Sequence, residues 1–408
     1  MAGGHSHSRG GSSDVAASAR PRLILLLALA LVAVATLVGL FRLWPDEATL
    51  REVGGEVEFS APGVTYPHAT ITEVQRPCTQ ASGGADQGAK SCGQMSVTLD
   101  TGPDKGTEVM VPLVGPQAQA GLRTGDSVQM QRIPGEGGGP ASYALFGVDR
   151  GHSLLWMTLL FVLVVGAVAR LRGLLALVGL AFSGVVIVKF MMPALLSGGS
   201  GLAVAVVGAT AIMYVVLYVA HGPTIRTSTA LAGTLIGVAI TAALAHVAVD
   251  VNRLSGIGDE TSLRLQSLVG DLDFRGLLTC AIIVAGLGVL NDVTITQSSA
   301  VWELRAAAPD LPRRELFTSA MRIGRDHIAS TIYTIVFAYA GAALSVLLVL
   351  YLYDRPLLDL LGTEDIAIEV VRTLASSIGL VLAVPVTTAI AVATVAGPGD
   401  ATPRRHRH

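Results

Sequence analysis

Long uncharged stretches alternate with short polar ones along this chain, and one segment between them keeps a different rhythm. Eight stretches stand out: Leu23–Phe41, Leu154–Ala169, Gly173–Met192, Gly201–Ala220, Ala230–Val249, Gly276–Ile295, Ile328–Tyr353 and Val370–Val395. A hydrocarbon core of about 30 Å takes roughly 20 apolar residues as a helix, so each stretch predicts a membrane crossing. The first exceeds the apolar core of about 7–15 residues usual in a signal peptide, and the chain around Gly39–Trp44 offers no small-x-small cleavage site. It reads as an uncleaved anchor.

Between the first two stretches the period shortens to two. Val57–Phe59, Thr70–Val74, Met95–Leu99, Glu108–Pro112 and Ser127–Met130 alternate apolar with polar residues and predict strands. Gly102-Pro103, Gly106, Gly125-Asp126 and the tract Gly135–Gly139 supply the turns between them. The fold class expected is therefore a membrane α-helical bundle of about eight transmembrane helices, with a small OB-like β-barrel inserted after the first helix. Residues 1–22 and 397–408 read as disordered tails, 23–41 as the anchor, 45–150 as the β domain and 154–396 as a seven-helix membrane domain.

Composition agrees with this pattern. Only 14% of the 408 residues are charged, against about a quarter in soluble domains, and the mean hydropathy is +0.60. A net charge of −2 without a basic, aromatic-laced stripe argues against a nucleic-acid partner. The lipid bilayer is the partner that the composition demands.

Basic residues orient the chain. With the N-terminus inside, the inner segments carry Arg9, Arg20 and Arg22, then Arg170 and Arg172, Arg226, the group Arg305, Arg313, Arg314, Arg322 and Arg325, and finally Arg404, Arg405 and Arg407. The short outer loop Met192–Gly199 has none. Both termini then lie in the cytoplasm and residues 45–150 outside. Cys78 and Cys92 flank a Gly/Ala/Ser-rich loop in that outer domain, where a disulfide persists. A metal site is the competing reading of the pair, but only Asp86 and His68 are near in sequence and neither has a ligand spacing.

Two amphipathic segments complete the outline. Leu263, Leu265, Leu268 and Leu272 in Asn252–Arg275 predict a short interfacial helix outside. Gln297–Arg325 predicts a helical elbow inside, restarting near Pro312 with Asp310 as a cap.

Polar residues at membrane depth supply the candidate chemistry. Leu277–Leu290 carries no charge, and then Asn291, Asp292, Thr294, Thr296 and Gln297 crowd into seven positions. Such groups are costly unless they face partners or a cavity, so Asp292 is the first functional candidate. The next span is entered through Arg322, Arg325, Asp326 and His327 at the same membrane face, within reach of Asp292 and Asn291. An ordinary interfacial ion pair competes with an ion path for Arg325 and Asp326. His221-Gly222-Pro223-Thr224 breaks the chain at that face; a tight turn is the plainer reading, a broken-helix solute site the sharper one. Pro385 with Thr387 and Thr388, and Gly233-x3-Gly237, mark a kink and a close-packing face. His5, His7, His406 and His408 in the tails are thin support for metal handling. No phosphate loop, nucleophile elbow, zinc-protease motif or catalytic carboxylate pair occurs, so the expectation is no enzyme, no catalytic residue, no cofactor and no metal site.

Four motifs together resemble the YibE/F family of bacterial membrane proteins: Asp149-Arg150-Gly-His152, His221-Gly-Pro223-Thr224, Gly288-Val-Leu-Asn291-Asp292-Val-Thr294 with Gln297-Ser-Ser, and Arg322-Ile-Gly-Arg325-Asp326-His327. The resemblance covers roughly residues 50 to 395, and the Arg, Ala and Val bias is similar to an actinobacterial member. It implies a multi-pass protein of the bacterial plasma membrane and brings no activity with it. The residues themselves favour a permease-like transporter of a small solute or ion, with Asp292 binding or coupling and Asn291, Thr294, His221, Asp326, His327, Arg322 and Arg325 around it. The alternative is a non-transporting envelope factor whose outer β domain binds an envelope partner or a second copy. No internal repeat adds weight to transport.

Overall fold

The computed structural model describes residues 17–46, 48–51, 60–75, 93–113, 119–135, 137, 139–352 and 356–397. The expected Cys78–Cys92 disulfide, its Asp86 neighbour, the strand at Val57–Phe59 and the tail histidines lie outside the described residues. Two compact units form, one from Glu56–Ala167 and the other from Met1–Gly55 with Val168–His408.

The smaller unit is built on strands β1 (His68–Gln75), β2 (Gln94–Leu99), β3 (Glu108–Pro112), β4 (Ser127–Ile133) and β5 (Ser142–Val148). They form one antiparallel sheet in the order β3-β2-β1-β4-β5. The period-two pattern sends Met95, Val97 and Leu99 of β2 inward, where they meet Ala69, Ile71, Val128 and Met130. A bulge in β1 between Ile71 and Glu73 bends the sheet, and the edge strands β3 and β5 approach each other without a ladder among the described residues. The β2–β3 turn is tied back by Asp104, whose carboxylate accepts from Arg132 Nε at 2.6 Å and from the Tyr143 hydroxyl.

The larger unit is helical. Helix α1 covers Ala19–Arg42, and α2 runs Gly151–Leu196 through a π-turn at Ile187–Met191, its residues from Val168 on belonging to this unit. Next come α3 (Gly201–His221), α4 (Ile225–Val251), α5 (Glu260–Leu268) and α6 (Phe274–Ala307). The chain continues through α7 (Arg313–Ala342), α8 (Leu344–Leu352), α9 (Leu357–Leu361) and α10 (Glu364–Thr394). Among the described residues six helices are long and apolar enough to cross a membrane, or seven if the bent pair α7–α8 is one span. Two differences from the expected eight spans have local causes. The second and third are the two halves of α2, which meet at a kink at Arg170 (φ 55°, ψ −142°), where the sequence pattern parts them, with no loop between them. The seventh, Ile328–Tyr353, is bent by 66° between α7 and α8.

Helices α4, α6 and α10 pack on one another at the centre, with α3 and α7 against them. Small residues repeating every fourth position make this possible. A Cβ on Gly233 would collide with the Thr387 side chain, and one on Gly379 with Thr241 Oγ1. At Gly237 it would lie 2.8 Å from Leu290 Cδ2. The α1 start meets the α10 end, where Ser18 N donates to Thr394 O at 2.9 Å. A short helix, α5, does form in Asn252–Arg275, capped by Asp259 accepting from Ser262 N at 2.6 Å. The elbow is present but differently held: Pro312, not Asp310, precedes α7, and Arg305 donates to the carbonyls of Pro309 and Leu311 at 2.8 and 2.7 Å.

Candidate functional site

The polar cluster of α6 divides between two faces, because residues three and four apart share a face. Thr294 and Ser298 turn into the bundle and are fully buried, as is Gln297. Thr294 shares a hydrogen bond of 2.6 Å with Thr234 of α4, and Ser298 donates to Arg226 O at 2.8 Å. Gln297 Nε2 donates to Ala320 O of α7 at 3.0 Å and to Thr388 Oγ1 of α10 at 2.8 Å, so one amide joins three helices. Thr241, Ser376 and Thr387 extend this column between α4 and α10, all at least 98% buried. Among the described residues Thr241 Oγ1 has no hydrogen-bond partner, nor does Asn291 Oδ1 on α6.

Asp292 lies on the other face. Its carboxylate Oδ2 is 3.4 Å from His327 Nε2 of α7, with the Asp side chain 60% and the His 33% exposed. The pair is within ion-pair distance but misses hydrogen-bond alignment, since His327 Nε2 has no hydrogen-bond partner. Arg322, Arg325 and Asp326 are exposed on α7. His221 is exposed at the end of α3, where its charged neighbours are Arg172 and Arg226. The His221-Gly-Pro motif forms a tight turn: Gly222 takes φ 79° and Thr224 caps α4 by accepting from Thr227 N at 3.1 Å. The structure thus brings Asp292 and His327 together and sets Thr294 in the buried column. It joins neither His221 nor the two arginines to them through any described contact.

A separate cavity of about 520 Å³ opens between the first turns of α6 and α10, the end of α7 and the α4–α5 connection. None of the expected site residues lines it. Its charged residues are Asp259, Asp365, Glu369 and Arg372, and Arg372 NH1 donates to Glu369 Oε1 at 2.7 Å. Sequence reasoning missed this cavity because it forms where four separated segments meet. The column was missed in part. Its signal was present in the four-residue spacing of Gly379, Ala383, Thr387 and Ala391 on α10 and of Gly233, Gly237 and Thr241 on α4.

A bundle of apolar helices sharing a buried polar column defines a polytopic membrane protein. The chain matches the model of the YibE/F-like protein family over residues 157–397, more than half of its length, and it belongs to that family. No curated protein and no solved structure matches it.

Proposed function

We propose that this protein is a permease-like transporter of a small solute or ion, with Asp292 as the coupling acid and His327 as its partner. The Asp292–His327 contact between α6 and α7 carries the reading. A carboxylate at membrane depth costs about 2.5–3.5 kcal/mol or more on insertion scales, so a paired one held there marks an ion or proton path. The unpartnered hydroxyl of Thr241 and the amide oxygen of Asn291 support the same reading, since they are buried polar atoms with hydrogen-bonding capacity to spare. Thr294 shapes the column beside them; Asp326, Arg322, Arg325 and His221 form the polar rim at that end of the bundle.

The arrangement proposed in the cell is a bacterial plasma membrane, both termini cytoplasmic and the β unit outside. The contact between Ser18 and Thr394 supports termini on one side, which requires an even number of crossings. Eight crossings follow if the two halves of α2 around Arg170 each span and α7–α8 counts as one. The strand order β3-β2-β1-β4-β5 would close as an OB barrel if β3 and β5 paired.

An unbiased comparison of metabolites and metals between a deletion strain and its parent names the cargo. Asp292→Asn at normal expression should fail to restore the wild-type pattern. Full restoration would remove the transport reading and promote the envelope factor, which the separate β unit with Met110 and Phe146 exposed on its strands favours. Damage would then map to that unit.

A further inference from the structure

The 520 Å³ cavity lies apart from the Asp292–His327 pair, at the start of α6. On α6 its wall residue Leu278 precedes Asp292 by fourteen positions, about 21 Å of helix. Its volume falls within the range of about 300–1,000 Å³ typical of small-molecule pockets. Leu278, Ile366 and Ile368 give it apolar walls, and Tyr339 adds an aromatic ring with a hydroxyl. Three carboxylates face one guanidinium. Arg372 is already engaged by Glu369 at 2.7 Å, with the two side chains only 23% and 31% exposed. Asp259 is occupied in part by the α5 cap. Asp365, exposed at the cavity mouth like Asp259, has no hydrogen-bond or ion-pair partner among the described residues, so the lining keeps an excess of negative charge with one carboxylate open to solvent and to a ligand. Among the described residues no three His, Cys, Asp or Glu side chains come close enough to hold a metal ion, so the charge is not gathered on one point.

We infer that this cavity binds a small organic cation, an ammonium or guanidinium on an apolar body. The body would lie against Leu278, Ile366 and Ile368, and the cation between Asp365, Glu369 and the Tyr339 face. An aromatic face and a carboxylate both favour a cation in a partly dry site. As a substrate site it rests on the transport reading; as a binding site it stands without it. Arg372 Nε, buried with no acceptor, is the one feature that would favour an anion instead.

The test is equilibrium binding to the full chain in lipid nanodiscs, with benzylamine, benzyl alcohol and benzoate as probes of one shape and three charges. Benzylamine should bind about tenfold or more tightly than the alcohol, and benzoate not at all. Glu369→Gln with Asp365→Asn should remove most of that preference, and Ala281→Phe should block all three probes by filling the cavity. A thermal melt of each variant shows whether it is folded, and the wild-type charge preference needs no variant. Equal binding of amine and alcohol, preference for benzoate, or no binding of any probe would overturn the inference. Charge-selective binding together with a silent Asp292→Asn variant would keep the site and discard transport.

Discussion

His327 Nε2 lies 3.4 Å from Asp292 Oδ2 and thereby links the middle of α6 to α7. If the pair couples transport, His327→Gln should lower flux about tenfold or more while the melting temperature in detergent stays near wild type, because the histidine side chain is already a third exposed. The double variant with Asp292→Asn should be no worse than Asp292→Asn alone, since residues that act as one unit do not add. Flux through reconstituted vesicles measures both, and additive losses would show that the two residues act separately.

The hydroxyl pair Thr234–Thr294 makes a different demand. Each hydroxyl also lies 2.9 Å from a carbonyl of its own helix, Thr234 from Ala230 O and Thr294 from Leu290 O, so one of the two donates across the pair and the other donates to its own carbonyl. Thr234→Val should therefore cost only about 0.6 kcal/mol, the average for such bonds between membrane helices. Gln297→Leu should cost about 1–3 kcal/mol, because it frees Ala320 O and Thr388 in a dry core at once. Denaturant unfolding in mixed micelles separates the two; a Gln297→Leu cost no larger than that of Thr234→Val would remove the amide from its role as a joint.

Glycines of the same helices should respond in opposite directions. Gly379→Ala drives a methyl into Thr241 and should destabilise by about 1–3 kcal/mol, or prevent folding. Gly288→Ala meets nothing within 4 Å and should hold or gain about 0.5–1 kcal/mol through helix propensity. Thermal melts of the two variants check this, and equal effects would argue against the close α4–α10 approach.

Acid should loosen the β2–β3 turn. The Tyr143 hydroxyl and then the Arg132 guanidinium hold the Asp104 carboxyl below its ordinary value of 3.8. A carboxyl lowered on folding stabilises above its unfolded pKa, and that contribution is lost as the pH falls through the lowered folded value. Exchange of the Gly106 and Thr107 amides, which bond to Leu99 O and Asp104 O, should therefore speed up below about pH 4 relative to its intrinsic rate. Asp104→Asn should exchange faster at neutral pH and lack the acid step. An unchanged profile in the variant would show that Asp104 does not anchor the turn.

The apolar runs alone determined a helical membrane protein, because twenty uncharged residues have few other stable places to go. Period-two alternation likewise located β1 to β4, and the quoted motifs located the family. Asp292 and His327 were legible as candidates because charge inside an apolar run is costly wherever the helix packs. Tertiary structure decided the rest. Whether Asp292 or Thr294 faces the bundle depends on helix rotation, which Gly233 and Gly237 on α4 and Gly379 on α10 set through contacts far apart in sequence. The bend between α7 and α8 and the loop-free kink of α2 at Arg170 are backbone outcomes that hydropathy does not encode. The acidic cavity likewise exists only where α6, α7, α10 and the α4–α5 connection converge, since Asp259, Asp365, Glu369 and Arg372 are unremarkable until packing places them around one space.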